Sequence, residues 1–177
     1  FRYLENVNAA YINYAREWKG LAIQGGLRAE HTTLEGKLRS YKSVGNEYAE
    51  TVSAFQRDYV DVFPGITLTF APRSANQIAL AFSRRIDKPV YQNLNPFEYR
   101  INEYTYHKGS IDLRPQYSNT VSLTHTYQYK LNTTFSYSRI NDVFGELVDT
   151  AQGVKGYLVN QNIAVQDITS LNLCYPL

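Results

Sequence analysis

The sequence predicts an all-β chain, an antiparallel up-and-down meander of about seven strands that forms part of a transmembrane β-barrel. Three observations carry this. Apolar and polar residues alternate with period two in seven separate stretches, the pattern of strands with two unlike faces. The connections between the stretches alternate strictly between short and long, and aromatic residues gather near the short ones. Composition agrees: 16 Tyr, no Met and 14 % aromatics favour strands over helices.

Taken in order, the first stretch sets Ala10, Ile12 and Tyr14 against Tyr11 and Asn13. The second sets Leu21, Ile23, Gly25, Leu27 and Ala29 against Gln24, Gly26, Arg28 and Glu30. In the third, Ile66, Leu68 and Phe70 alternate with Thr67 and Thr69; in the fourth, Ile78, Leu80 and Phe82 alternate with Gln77, Ala79, Ala81 and Ser83. The fifth has Val121, Leu123, Tyr127 and Tyr129 opposite Ser122, Thr124, Thr126 and Gln128. The sixth has Leu131, Thr133, Phe135 and Tyr137 opposite Asn132, Thr134, Ser136 and Ser138, and the seventh Leu171, Leu173 and Tyr175 opposite Ser170, Asn172 and Cys174.

Short turns are expected at Trp18-Lys19-Gly20, Pro72-Arg73-Ser74-Ala75 and Tyr129-Lys130-Leu131, and long polar loops at Thr32–Tyr59, Arg84–Asn119 and Arg139–Asn162. One sheet end is therefore trimmed while the other carries every long link, the asymmetry of a membrane barrel and not of a Greek-key sandwich. A tilted crossing needs roughly 9–11 residues, and the alternating stretches match it. Gln24, Arg28, Glu30, Thr67, Thr69, Thr124 and Asn132 suit a wet lumen. Trp18, Phe70, Tyr127, Tyr129 and Tyr175 fit an interfacial girdle. His125 shares parity with Val121 and Leu123, so it needs an interfacial depth or a bulge.

Other classes are excluded by simple counts. Eighteen Lys+Arg against 16 Asp+Glu leave +2, too little to argue for nucleic acid. The longest apolar run, Ile78–Phe82, falls far short of the roughly 20 residues of a spanning helix. Cys174 is alone, belongs to no CxxC and reads as a small buried or lipid-facing hydrophobe. The chain opens at Phe1-Arg2-Tyr3-Leu4 without Met or a leader pattern, which reads as an excerpt or a processed product.

The link from the fourth stretch to the fifth contains Ser83-Arg84-Arg85, Pro89, Tyr91 and Leu94-Asn95-Pro96-Phe97, and then Gly109-Ser110-Ile111-Asp112-Leu113-Arg114-Pro115. The first group resembles the S-R-R-x-x-x-P-x-Y-x-x-L-N-P-F signature in the barrels of TonB-dependent receptors and related outer-membrane barrel proteins of Bacteroidetes type. The second resembles their G-N-x-x-L-x-P-x stretch, with Ser110 in place of Asn. Arg28-Ala29-Glu30 matches an R-x-E pattern of the same family. The resemblance implies a 22-stranded barrel plugged by an N-terminal domain, residence in the bacterial outer membrane, and import of a scarce, bulky nutrient energised by an inner-membrane complex. Residues 1–177 would then be a segment of such a barrel, with no plug domain. Its partners would be outer-membrane lipid, the remaining barrel and plug, the inner-membrane complex through the parent, and an unidentified nutrient.

No pattern points to an enzyme. His31, His107 and His125 lack zinc spacing, no G-x-S-x-G elbow or phosphate loop occurs, and the acidic residues do not form a calcium loop; neither a catalytic residue, a metal nor a cofactor is expected. Arg84-Arg85 reads as a polar collar at the membrane surface or as an anion site. Arg85, Tyr91, Asn93, Asn95, Phe97, Arg100 and Tyr104 mix rings with amide and guanidinium groups, which suits either ligand binding or a loop packed on itself. Two other readings stand beside the receptor. One is a barrel acting as an adhesin or envelope-complex component; the other is a soluble lipocalin-like module with its apolar face inward.

Overall fold

The structure, a computed structural model, describes residues 2–44, 47–73, 75–150 and 156–176. Seven long strands follow one another: β1 (Arg2–Trp18), β2 (Leu21–Val44), β3 (Glu47–Arg73), β4 (Asn76–Asp87), then β7 (Gln116–Tyr127), β8 (Leu131–Asp149) and β9 (Gly156–Cys174). Between β4 and β7 lie a single helical turn, α1 (Tyr91–Leu94), and two short strands, β5 (Glu98–Arg100) and β6 (Thr105–Lys108). The sheet has nine strands in the order β1-β2-β3-β4-β7-β8-β9-β6-β5, and β1 is not paired with β9. Every pairing is antiparallel except β6 with β9, which is parallel.

Register turns the sequence alternation into two continuous faces. One hydrogen-bonded row reads Ile23, Leu68, Leu80, Leu123, Phe135, Leu171 across six strands. The adjacent row on the opposite face reads Gln24, Thr67, Ala81, Ser122, Ser136, Ser170. A one-residue slip would carry polar-face residues such as Thr67, Ser122, Ser136 or Ser170 into the first row, so the face contrast fixes the register. The apolar row is uncovered by anything in the chain: Leu80 is 44 % exposed and Leu171 73 %. Among the described residues the buried apolar side chains are Leu34, Phe63, Leu94, Leu113 and Tyr157, none of which belongs to that row.

The apolar band runs obliquely to the rows. On β4, β7, β8 and β9 it ends at one polar row, Arg84–Asn119–Arg139–Asp167. On β1, β2 and β3 it continues past that level through Ile12–Leu27–Pro64 and Ala10–Ala29–Val62 to His31 and Asp58, which bond at 2.9 Å. Strands tilted against the membrane normal produce this, because a horizontal slab then cuts the hydrogen-bonded rows at a slant.

At the trimmed end the turns are tight. Gly20 adopts φ +81° between Trp18 and Leu21, a left-handed conformation a side chain would strain. Gln128 and Tyr129 both have positive φ and Lys130 N donates to the Tyr127 carbonyl at 3.0 Å, a type I′ reversal without the usual Asn-Gly. Ser74, in the expected second turn, lies outside the described residues. His125 finds its partner here: its Nε2 meets Asn76 Oδ1 at 3.2 Å, at the band's margin, and no bulge is needed. Arg16 lies 5.0 Å over the Trp18 ring, an arginine at the lower rim of the band.

Two expectations need correction. The links 32–59 and 139–162 are not loops for most of their length, because β2 and β3 run on to Val44 and from Glu47, and β8 and β9 extend likewise. At about 3.3 Å per residue the 24 residues of β2 span about 80 Å, so a long hairpin stands clear of the membrane. The seven long strands form the expected antiparallel meander, and the short β5 and β6 extend the sheet beyond β9. Cys174 is exposed and pairs in register with Asn132 on the polar face, so it is neither buried nor lipid-facing.

Charging the two faces separates them. Leu80→Arg should lower stability in lipid bilayers by roughly 2–4 kcal/mol and Thr67→Arg by much less, read from urea titrations of protein folded into liposomes. Equal losses at both positions would contradict the face assignment.

Candidate functional site

The polar face is the one that encloses space. A depression of about 820 Å³ is lined by Asn13, Gln24, Thr67, Ser83, Arg85 and Thr120. Its floor is bare backbone, because Gly26 and Gly65 face each other across β2 and β3. Beside it Arg28 lies 5.0 Å over the Phe63 ring and holds Glu30 at 3.0 Å. Arg84 and Arg85 both line a neighbouring depression together with Arg28 and Phe63. Arg84 takes the apolar-face parity within the polar row that ends the band, and its guanidinium lies 5.1 Å over the Tyr117 ring. Arg85 lines the depression, and no ion-pair partner accompanies it among the described residues.

Of the predicted polar-face residues, Gln24 and Thr67 pair directly, and Thr69 reaches Thr124 through Ala79. Thr124 bonds Thr134 at 3.1 Å, and Asn132 accepts from the Thr126 hydroxyl at 2.6 Å. Thr120–Ser138 at 2.9 Å and Ser136–Ser170 at 2.7 Å continue a wall of small, mutually satisfied hydroxyls. All seven expected residues therefore share one face, with the charged ones, Arg28 and Glu30, both on β2.

Residues 88–115 fold over the upper end of this face as a cap. Lys88 enters between β1 and β2, where its ammonium donates to Glu5 at 3.2 Å and Thr32 at 3.1 Å and approaches Glu30 at 3.9 Å. Arg57 on β3 donates to the carbonyls of Ile111 and Leu113. Arg114 pairs with Asp142 at 2.7 Å, and Asn162 clasps the Arg114 backbone through both its amide nitrogen and its oxygen, at 3.0 and 2.8 Å. Asp142 reaches Arg114 from a bulge in β8, where it adopts φ +56°. Leu94 and Leu113 are both 1 % exposed, giving the cap its own small core.

The cap assigns unlike jobs to the predicted loop residues. Asn93 and Asn95 are structural: their carbonyls accept from Ser110 N at 2.7 Å and Gly109 N at 2.9 Å, and Asn95 Oδ1 accepts from Phe97 N at 3.2 Å. A Cβ on Gly109 would collide with the Asn95 and Asn93 carbonyls, which explains a glycine there. Tyr91, Phe97 and Tyr104 are more than half exposed, as is Tyr99, and exposed Arg100 bonds only the Asn102 carbonyl, at 3.2 Å. None of these lines the depression that Arg85 lines. Sequence reading missed Lys88, Arg57 and Asp142, for which the sequence alone holds no spacing signal.

Phenols gather where the cap meets the polar face. Burial, then the Asp61 carboxylate accepting its hydroxyl at 3.1 Å, pushes Tyr117 up to about 12. Tyr3 is raised by burial and by Glu5, and Tyr59 by burial and by Asp61. These hydroxyls thus stay protonated at any physiological pH.

A curved sheet with one lipid-compatible face, one polar enclosed face and a folded cap at the end bearing the long links defines the wall of a transmembrane β-barrel. The chain belongs to the outer membrane protein beta-barrel family, whose model matches residues 1–177, and it resides in the bacterial outer membrane. Among solved structures it is similar to the Serratia marcescens hemophore receptor HasR, a double mutant in complex with its hemophore HasA and heme. There the TM-score is 0.77 at 12 % identity, over 96 % of this chain and 31 % of that one. It is also similar to the ferric enterobactin receptor PfeA of Pseudomonas aeruginosa, a Q482A mutant in complex with enterobactin. That match has a TM-score of 0.57 at 13 % identity, over 97 % of this chain and 33 % of that one. The chain spans about a third of the length of these receptors. A search of curated proteins finds no match.

Two outcomes follow. Gly109→Ala should undock the cap and expose the bonds after Arg100 and Lys108 to trypsin several-fold faster, with the barrel strands still protected. For Tyr117 the sign is set by its raised value. Unfolded it ionises near 10 and docked near 12, so its support for docking is complete below pH 10 and fades as pH rises from 10 towards 12. An ultraviolet difference titration of wild type against Tyr117→Phe should show the missing phenol titrating near 12.

Proposed function

We propose that the chain is a wall section, without a plug domain, of a TonB-dependent type of outer-membrane receptor that imports a bulky nutrient. The observation carrying this reading is the cap: a segment that leaves β4 folds across the polar face and bonds strands on both flanks of the sheet, so that face is the interior of a wide barrel. A lipocalin-like module fits poorly, because its apolar face would be the enclosed one. Gln24, Arg28, Glu30, Thr67, Thr69, Thr124 and Asn132 then line the lumen, and Arg85 offers a free cation to a passing ligand. Tyr91, Phe97, Arg100 and Tyr104 on the cap's outer surface make the first contact by stacking and hydrogen bonding. Asn93 and Asn95 hold the turn that presents them.

The parent protein supplies the remaining strands and the plug, lipid covers the apolar face, and an inner-membrane complex supplies energy. No residue performs covalent chemistry in this reading. The receptors HasR and PfeA were solved with heme and enterobactin respectively, which supports a bulky ligand without naming it. Disrupting the gene should abolish uptake of one scarce, bulky nutrient from a panel, and disabling the inner-membrane complex should have the same effect. Arg85→Gln should weaken that uptake several-fold without changing the amount of protein in the outer membrane. Loss of adhesion or envelope integrity with every nutrient still imported would favour the adhesin or envelope-component reading instead.

A further inference from the structure

The two flanks of the sheet are not equivalent. Among the described residues, β1 is unpaired along its outer edge from Arg2 to Trp18, whereas β9 is paired on that side over Gly156–Val159 alone. There β6 lies parallel to it, in the register Thr105–Gly156, Tyr106–Tyr157, His107–Leu158 and Lys108–Val159. Gly156 N donates to the Tyr104 carbonyl at 2.8 Å, and the Tyr106 and Tyr157 rings stand 5.7 Å apart with Tyr157 buried. β5 then pairs with β6 through Glu98–Lys108, Tyr99–His107 and Arg100–Tyr106.

Below this point the edge of β9 cannot remain bare. Asp167 belongs to the polar row that ends the apolar band, and Thr169, Leu171 and Leu173 lie within the band. Hydrocarbon offers no partner to an unpaired backbone group. At about 3.3 Å per residue, Val159 stands about 26 Å along the strand above Asp167. The cap's hairpin is thus anchored well outside the membrane, and the edge below it needs another occupant.

We propose that the edge of β9 is divided between two partners at about Asn160. The cap's own hairpin takes Gly156–Val159, and a further antiparallel wall strand of the same polypeptide takes Gln161–Cys174. Continuity with the β8–β9 ladder favours a strand of the same barrel, and so does the threefold greater length of HasR and PfeA. The hairpin β5–β6 occupies the place where that strand's extracellular extension would otherwise pair. The wall beyond β9 therefore ends low, while β2 and β3 stand tall, and the rim carries a notch filled by a segment borrowed from the β4–β7 link. This inference rests on the membrane placement of the sheet and not on import of a nutrient.

The test uses the native full-length protein in outer membranes, with Cys174→Ser as background. A His107→Cys/Leu158→Cys pair should oxidise to a disulfide as completely as a Leu147→Cys/Val159→Cys control pair across β8 and β9, seen as altered gel mobility. A photoreactive benzoylphenylalanine in place of Leu171 should cross-link to a peptide of the same polypeptide outside residues 1–177. A control disulfide without the His107–Leu158 one would overturn the upper half of the proposal. Capture at Leu171 of β1, or of a second copy of the chain, would overturn the lower half. Either result leaves the nutrient reading to its own experiment.

Discussion

The constraint behind the rest of the structure is that hydrocarbon offers no partner to a peptide N–H or C=O. A chain that crosses as strands must pair every strand with neighbours throughout the slab, and the side chains are then forced to alternate between lipid and interior. Both consequences are visible in the paired rows, Ile23 to Leu171 on one face and Gln24 to Ser170 on the other. The sheet needs no hydrophobic core because its apolar side is covered by solvent of another kind. That is why the largest exposed apolar residues, such as Leu171 and Ile12, lie on the face with the least polar chemistry.

Once the strands rise above the slab, water can satisfy the backbone and the rule relaxes. There the faces lose their contrast, β8 accepts a bulge at Asp142, and buried side chains reappear. The cap is built with the ordinary means of a soluble domain: a small core at Leu94 and Leu113, ion pairs at Lys88 and Arg114, and carbonyls gripped by Arg57. Its position over the polar face comes from where those bonds fall, on strands at both flanks of the sheet. The Lys88 cluster is only partly exposed, so its ion pairs act in a weaker dielectric than surface pairs do.

The membrane-crossing portions were legible in the sequence because lipid imposes a contrast of two at every step. Leu80 against Ala81, and Leu123 against Thr124, cannot exchange places without a penalty. Thr32 to Tyr59 were not legible as strands for the opposite reason. In water both faces of a hairpin are polar, and Thr32, Thr33, Glu35 and Lys37 read as loop composition. The cap was recognisable by its motif but not by its contacts. Lys88 with Glu5, and His107 beside Leu158, join residues far apart in the chain, and no local pattern encodes such pairs. Among the predicted ligand residues, Asn93 and Asn95 were chosen for their amides, yet it is their backbone carbonyls that hold the cap's turn together.

The measurement that bears most directly on this account is a nitroxide scan along β7, one label at a time from Asn119 to Tyr127, in protein folded into liposomes. Collision with oxygen, which concentrates in lipid, should peak at 121 and 123. Collision with a water-soluble nickel chelate should peak at 120, 122 and 124, with the two profiles out of phase. Inverted phases, or profiles without a period of two, would contradict the assignment of the apolar face to lipid and the polar face to the barrel interior.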